Sequence, residues 1–174
     1  MSNPDIYLRP LTANDRDEFL RMSQDSRGLH EPWITPPTTP RGFEAYISRL
    51  ERDDHESFLV CDKATHAITG VINLNNIVRG TFLSASLGYY VAGEWAGRGY
   101  MQQGLIRVTD HAFRVMGLHR LEANIQPENR RSIRLVQRCG FRLEGLSPEF
   151  LFIDGAWRDH ERWCKAHNRS GLES

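Results

Sequence analysis

The spacing of apolar residues predicts one strand and two helices in the first third of the chain. Alternating Ile and Leu residues over 6–11 indicate a strand, and the period becomes helical over about 13–25. The segment 30–42 holds four of the eight prolines, which exclude a regular helix there and predict a loop. An apolar stripe at helical spacing returns over 43–52.

From residue 57 onward, short strands alternate with two longer helical segments. We predict strands over 58–61, 68–74 and 82–91, a helix over 100–116, a strand over 118–126, a helix over 129–140, and a hairpin of 149–153 with 157–164. Asp154-Gly155 is a strong signal for the tight turn of that hairpin. The isolated Gly88 inside a strand suggests a bulge or a close backbone approach. This order predicts a mixed α/β (α+β) fold with a right-handed, parallel strand–helix–strand unit at its centre.

Composition excludes several classes of protein. Hydrophobic residues make up 40% and charged residues 25% of the 174 residues, which is typical of one globular domain spanning 1–174. Lys plus Arg equals Asp plus Glu at 22, so the zero net charge disfavours direct nucleic-acid binding. Three separated cysteines indicate reduced, buried thiols. We see no signal peptide and no run of membrane-spanning length, so we expect a cytoplasmic protein without a membrane partner.

The stretch EWAGRGYMQQG, residues 94–104, is the most informative part of the sequence. It follows a predicted strand and opens a predicted helix. Gly97 and Gly99 allow a tight turn whose backbone N–H groups face outward, beside the positive end of the helix dipole. Arg98 adds a flexible positive charge, and together these features suit a pyrophosphate. A plain strand-to-helix turn explains the spacing equally well. Neither a Walker loop nor a dinucleotide fingerprint is present.

Residues 94–99 resemble the Q/R-x-x-G-x-G/A motif of the GNAT acetyltransferases, with Glu94 standing where that family has Gln or Arg. LGYYV before the loop, HRLEANIQPENRRS and CGF after it, and DGAWRDH near the C-terminus extend the resemblance over nearly the whole chain. Their order is similar to that of the Rim-type ribosomal-protein-alanine N-acetyltransferases. The resemblance implies the GNAT fold, with a mixed central sheet of about six to seven strands flanked by about four helices.

The resemblance also implies an activity, namely acetyl transfer from acetyl-CoA to the α-amine of a protein N-terminus, such as a ribosomal protein that begins with Ala. Two alternatives stay open: an acetyltransferase for a small amine or antibiotic, and a non-catalytic acyl-CoA-binding module. We expect a monomer or homodimer and no metal, because no metal-ligand spacing is present. A basic face on the helix 129–140 would meet the 3′-phosphate of CoA or be plain solvated surface.

The cofactor contacts implied by the resemblance fall in three segments. The strand before the loop would offer free backbone groups to the pantetheine arm, the loop would hold the pyrophosphate, and the start of the next helix would lie beside the thioester. The residues concerned are Tyr89, Tyr90 and Val91, then Glu94, Gly97, Arg98, Gly99, Tyr100 and Met101, and finally Asn129 and Ser132.

For catalysis, the resemblance implies that Ser132 donates a proton to the departing thiolate. Many GNAT proteins carry a tyrosine acid four residues further on, where this chain has Val136. Glu122 and Glu149 are the candidate general bases, and each is equally explained as a solvated strand carboxylate.

The acceptor site implied by the resemblance involves residues of the Pro-rich loop and of the strand 82–91. They are His30 and Trp33 in the loop, and Ser84 and Ser86 on the strand. A core position beneath the loop is the alternative interpretation for Trp33.

Overall fold

The computed structural model describes residues 3–167. The ends of the predicted domain, residues 1–2 and 168–174, lie outside that range. Seven strands form one mixed sheet in the order β1-β2-β3-β4-β5-β7-β6. The strands are β1 (Ile6–Pro10), β2 (Glu56–Asp62), β3 (Ile68–Val78), β4 (Ser84–Val91), β5 (Arg120–Ile125), β6 (Arg142–Ile153) and β7 (Ala156–Ala166). The helices are α1 (Arg16–Asp25), α2 (Arg27–His30), α3 (Pro40–Arg49), α4 (Tyr100–Arg114) and α5 (Arg130–Arg138), with 3₁₀ turns at Ala13–Asp15 and Gly93–Trp95.

The centre of the sheet is the parallel pair of β4 and β5, joined through α4. All other neighbouring strands are antiparallel. The parallel pairing is short: it runs from Ser84 opposite Arg120 to Leu87 opposite Ala123 and then ends. From Gly88 onward β4 and β5 no longer pair with each other. The opening between them is called the wedge below, and its closed end at Leu87 and Ala123 is called the apex.

Each face of the sheet carries its own apolar core, because side chains alternate between the two faces of a strand. On one face α4, through residues such as Leu105, and α5 pack over sheet residues that include Ile72 and Leu121. On the other face α1, through Phe19, and α3, through Phe43, pack over sheet residues that include Leu59. The two faces are called the α4 face and the α3 face below.

The predicted mixed fold is confirmed, and the differences have physical reasons. Five α-helices are present in residues 3–167 rather than about four, because Arg27–His30 forms a short helix between the predicted helix 13–25 and the predicted loop. The predicted loop 30–42 also ends earlier than expected. Thr39 caps α3 by accepting a hydrogen bond from the Gly42 N–H at 3.2 Å, and Pro40 fits the first helical position, where no N–H is needed.

Two further corrections concern strands. β6 begins at Arg142, not at residue 149, because two register shifts interrupt the alternation from which its length was judged. Gly88 is not a bulge, since the shift between β3 and β4 lies at Asn75–Val78. Its role is a close approach: a Cβ at Gly88 would lie 3.2 Å from Asn75 Nδ2.

Cys61, Cys139 and Cys164 are buried free thiols, as predicted. Burial raises the pKa of Cys139 and of Cys164 to about 11. Within residues 3–167, no helix has both the length and the apolar character that a membrane crossing requires.

Gly104 sets how closely α4 approaches the sheet. A Cβ at this position would lie 2.7 Å from Val60 Cγ2 and 3.0 Å from Ile72 Cδ1. We expect Gly104→Val to lower the free energy of unfolding by about 1–3 kcal/mol, because the packed β-branched side chains must shift. Thermal or urea unfolding measures this. Gly28→Val is the matched control, since its Cβ meets open space within a helix. Equal losses in both variants would contradict the packing argument.

Candidate functional site

The backbone of β4 faces the wedge at alternate residues. The N–H of Ala92 donates to the carbonyl of Thr69 at 2.8 Å, and bonded and non-bonded pairs alternate along an antiparallel ladder. The backbone groups of Tyr89 and Val91 therefore point away from β3 and into the wedge. Those of Tyr90 are directed at β3 instead, and its side chain lies in the α3-face core. An amide-bearing chain in the wedge would find partners at two of the three predicted positions.

His30 fixes the open end of β4. It is buried, and its Nε2 donates to the carbonyl of Val91 at 2.8 Å. Its ring also packs edge-on against Tyr90 at a centroid distance of 5.4 Å. Burial lowers the pKa of His30, so the imidazole stays neutral at pH 7. The structure thus gives His30 a positioning role at the wedge, and acceptor contact by this residue stays a prediction.

The glycine loop forms the tight turn that the sequence predicts. Gly97 and Gly99 have φ values of +75° and +85°, and Gly99 is the N-cap of α4. The N–H of Gln103 donates to the carbonyl of Gly99 at 3.1 Å, so the preceding N–H groups of α4 have no intrahelical partner. Those groups and the helix dipole favour an anion at this place. The Arg98 guanidinium lies beside them, 5.5 Å from the centre of the Trp95 ring.

The two residues after Gly99 hold the loop from behind. Tyr100 donates its hydroxyl hydrogen to Asp62 Oδ1 at 2.8 Å, and Met101 is buried in the α4-face core. Any contact that they make with an anion therefore comes from backbone N–H groups. Glu94 lies in the exposed 3₁₀ turn before the loop.

A pair of hydroxyl groups lies on the α4 face beside the wedge. Asn129 caps α5 by accepting from the Ser132 N–H at 3.2 Å. The Oγ of Ser132 lies 2.5 Å from the Tyr89 hydroxyl oxygen. Burial raises the pKa of Tyr89, and the hydrogen bond with Ser132 lowers it by less, so the phenol stays protonated over the physiological range. From the sequence, Tyr89 was predicted to contribute backbone groups only, so the role of its side chain is new.

On the α3 face the apex carries Glu122, which is held by two arginines. Arg120 Nε lies 2.8 Å from its carboxylate, and Arg162 lies 2.5 Å from it. Burial raises the pKa of Glu122, but the hydrogen bonds from Arg162 and Arg120 outweigh burial and lower it overall. Glu122 is therefore an ionised group at neutral pH. Ser86 lies directly opposite Glu122 on β4, next to the apex, whereas Ser84 is buried and lies farther from the wedge.

Asn124 follows Glu122 on the same face and was not predicted. Its Oδ1 is buried and accepts no hydrogen bond from the described residues. The period-two spacing of strand residues was the signal that would have placed it beside Glu122.

Two predicted residues lie apart from this group. Glu149 is exposed on β6, two strand spacings or about 10 Å from β5. It has a φ of +47°, and its N–H donates to Asp159 Oδ1 at 2.8 Å. Trp33 is half-buried, and it is not one of the described residues that line the large cavity on the α3 face. Within residues 3–167, no cluster of three or more His, Cys, Asp or Glu side chains has the arrangement of a metal site.

A cavity of about 630 Å³ opens on the α3 face and reaches the wedge at Gly88. It extends from β4 across β3 to His55, and α3 and the segment 34–37 form its walls. The polar side chains that line it include Tyr46, Arg49, His55, Asn73 and Tyr90. The structure thus brings three features together at one point of the sheet: a wedge with free backbone groups, an anion site and an open cavity.

Comparisons with known proteins agree with this geometry. Residues 5–142 match the acetyltransferase (GNAT) domain. The chain is 36% identical over 158 residues to the [ribosomal protein uS5]-alanine N-acetyltransferase of Escherichia coli, covering 85% of this chain and 81% of that protein. It is 27% identical over 164 residues to the spermidine N(1)-acetyltransferase of Vibrio cholerae, covering 92% of each. Mycobacterium smegmatis RimJ in complex with CoA-disulfide superposes with a TM-score of 0.85 at 29% identity, covering 92% of this chain and 81% of that one.

The chain belongs to the GNAT acetyltransferases and is an acetyltransferase enzyme. Both the resemblance stated from the sequence and the GNAT fold that it implied are confirmed.

The glycine loop provides a test of the anion site. Valine is strained at a φ of +75°, so Gly97→Val should displace the loop, and we expect CoA to bind about tenfold more weakly or worse. Isothermal titration calorimetry measures this. Gly80→Val is the control, because Gly80 has a φ of +72° in the turn between β3 and β4. Unchanged CoA affinity in Gly97→Val would remove the loop from the binding site.

Proposed function

We propose that this enzyme acetylates the α-amine of a protein N-terminus, with acetyl-CoA as the acetyl donor. A ribosomal protein that begins with Ala is the proposed substrate. The similarity to the Escherichia coli uS5-alanine N-acetyltransferase supports this, because 36% identity extends over 85% of the chain.

The observation that carries the proposal is the charge of the acceptor cavity. Among the described residues that line it, none is Asp or Glu, whereas Arg49 is present. A polyamine carries several positive charges, so its site needs carboxylates to balance them. A peptide N-terminus brings a single amine together with backbone carbonyls, and hydrogen-bond donors are what those carbonyls require.

Acetyl-CoA fits the opposite side of the site. Backbone groups of Tyr89 and the N–H of Val91 would pair with the amides of the pantetheine arm, as an added strand does, while His30 holds the Val91 carbonyl. The N–H groups at the start of α4, with Gly97, Arg98 and Gly99, would hold the pyrophosphate. The similarity to a RimJ protein in complex with CoA-disulfide supports this assignment.

The proposed chemistry divides between the two faces of the sheet. A neutral amine approaches from the α3 face, where the Asn124 Oδ1 accepts its N–H and the Glu122 carboxylate takes its proton through water. The nitrogen forms a bond to the thioester carbonyl carbon, and the carbon–sulfur bond breaks. The thiolate leaves toward the α4 face, where Ser132 gives it a proton while Tyr89 donates to the Ser132 oxygen.

A small-amine acceptor is the second candidate function. The similarity to the Vibrio cholerae spermidine N(1)-acetyltransferase favours it, at 27% identity over 92% of both chains. The acceptor panel below separates the two candidates.

The first test measures release of CoA thiol from acetyl-CoA with two sets of acceptors. One set contains peptides that begin with Ala or Ser, each with an α-blocked control, and the other contains polyamines, aminoglycosides and amino acids. We expect release with free-α-amine peptides and none with their blocked controls. Release with small amines alone would overturn the proposal in favour of the second candidate. Binding of acetyl-CoA without release on any acceptor would favour a non-catalytic module.

The second test concerns the hydroxyl pair. We expect Ser132→Ala to lower kcat about 100-fold and Tyr89→Phe about tenfold, with little change in the KM for acetyl-CoA. A donor with a more acidic thiol should recover much of the loss, because its thiolate needs no proton. Tyr7→Phe is the control, since Tyr7 bonds His66 on the far edge of the sheet. Equal losses with both donors would assign the pair a structural role only.

A further inference from the structure

We infer that the acceptor cavity selects for a carboxylate near the acceptor amine, with Arg49 as the group that receives it. The carboxylate belongs to an acidic side chain at the second or third residue of a protein N-terminus, or to the α-carboxylate of a short acceptor. This inference rests on the proposed function for the identity of the amine.

The first step is the orientation of Asn73 in the cavity floor. Tyr90 donates to the Tyr46 hydroxyl at 3.4 Å, and Tyr46 donates to Asn73 Oδ1 at 2.5 Å. Ser57 donates to the same oxygen at 2.7 Å. Two donors thus saturate the carbonyl of the buried Asn73, and its NH₂ group finds no partner among the described residues. That NH₂ group can only donate, so the occupant beside it must bring an acceptor such as a peptide carbonyl.

The second step is the charge at the cavity wall. The Arg49 guanidinium lies over the Tyr46 ring, 5.2 Å from its centre, and Tyr46 is itself buried and tied to Asn73. The arginine is therefore held at the wall by a rigid aromatic surface. Within residues 3–167 it forms no ion pair. Its charge is available to a ligand.

The third step is that the acidic side chain beside His55 is already occupied by other partners. Asp54 precedes His55 in sequence, and its carboxylate binds His55 Nδ1 at 2.7 Å and Arg52 at 2.5 Å. These hydrogen bonds, first from His55 and then from Arg52, lower the pKa of Asp54, so it is ionised and already neutralised. Asp54 is not among the described residues that line the cavity.

The fourth step is distance. The cavity runs from Gly88 on β4 across β3 to His55 at the start of β2, which is two strand spacings or about 10 Å. An extended peptide covers this distance with about three residues. An amine at the wedge therefore places the side chains of the second and third residues within the cavity, where Arg49 lies.

The experiment compares peptides that differ in one charge. Amidated hexapeptides beginning with Ala carry Glu, Gln or Lys at position 2 or position 3, and kcat/KM is measured for each. At one of these positions we expect kcat/KM for the Glu peptide to be about tenfold higher than for the Lys peptide, with the Gln peptide between them. The Glu-to-Lys ratio should become smaller at high salt.

Variants assign the effect to a residue. Arg49→Glu should reverse the order of the Glu and Lys peptides while the Kd of acetyl-CoA stays the same. Arg41→Glu is the matched control, since Arg41 is an exposed arginine of the same helix that does not line the cavity. It should leave the order unchanged. A Glu-to-Lys ratio near one in the wild type, or the same ratio in Arg49→Glu, overturns the inference and leaves the proposed function standing.

Two further arms identify the source of the carboxylate. Ala-Ala with a free C-terminus is compared with its amide, and a preference for the free acid without any preference among the hexapeptides assigns the α-carboxylate. If no peptide is a substrate, the proposed function fails, and the inference is then tested with amino acids and polyamines as acceptors. In that case kcat/KM must be higher for amino acids than for polyamines in the wild type but not in Arg49→Glu. The opposite order overturns the inference.

Discussion

The end of the β4–β5 pairing at Leu87 and Ala123 is the constraint on which the site depends. Each strand keeps a full partner on its outer side, β3 for β4 and β7 for β5, so the gap opens without loss of either strand. Backbone groups left unpaired inside a sheet are costly unless water or a ligand binds them. The wedge is therefore a preformed place for a molecule that carries amides, and the fold itself supplies the binding groups.

The same gap separates two kinds of chemistry. Because side chains alternate, Tyr89 lies on the α4 face with Ser132, whereas Glu122 and Asn124 lie on the α3 face. A proton donor and a proton acceptor that touched each other would neutralise one another. In the proposed mechanism, their places on opposite faces of one sheet put a neutral hydroxyl pair and an ionised carboxylate on either side of the reacting bond. The two arginines on Glu122 keep it ionised and lower its basicity, and the proton transfer that we propose therefore reaches it through water.

The sequence predicted those features that depend on local pattern. Period-two and period-3.6 spacing located the central strands and α4, and two glycines located the turn at positive φ. It failed where non-local contacts decide. The length of β6 depends on register shifts against β7, and the contact of Tyr89 with Ser132 joins residues 43 positions apart. The orientation of Asn73 depends on hydroxyl groups from α3 and β2, which no spacing within β3 reveals.

Net charge is the clearest case of a global property that hides a local one. The chain is neutral overall, and that fact disfavours a nucleic-acid partner, but it carries no information about a single cavity. Within the cavity the chain of donors from Tyr90 through Tyr46 runs in one direction, so Asn73 must present its NH₂ group rather than its oxygen to the occupant. Donors on the floor and a cation on the wall then act together. A second positive charge on the acceptor would meet repulsion there, whereas carbonyl and carboxylate oxygens would find donors. The direction of those hydrogen bonds is therefore the physical basis of the peptide preference that we propose.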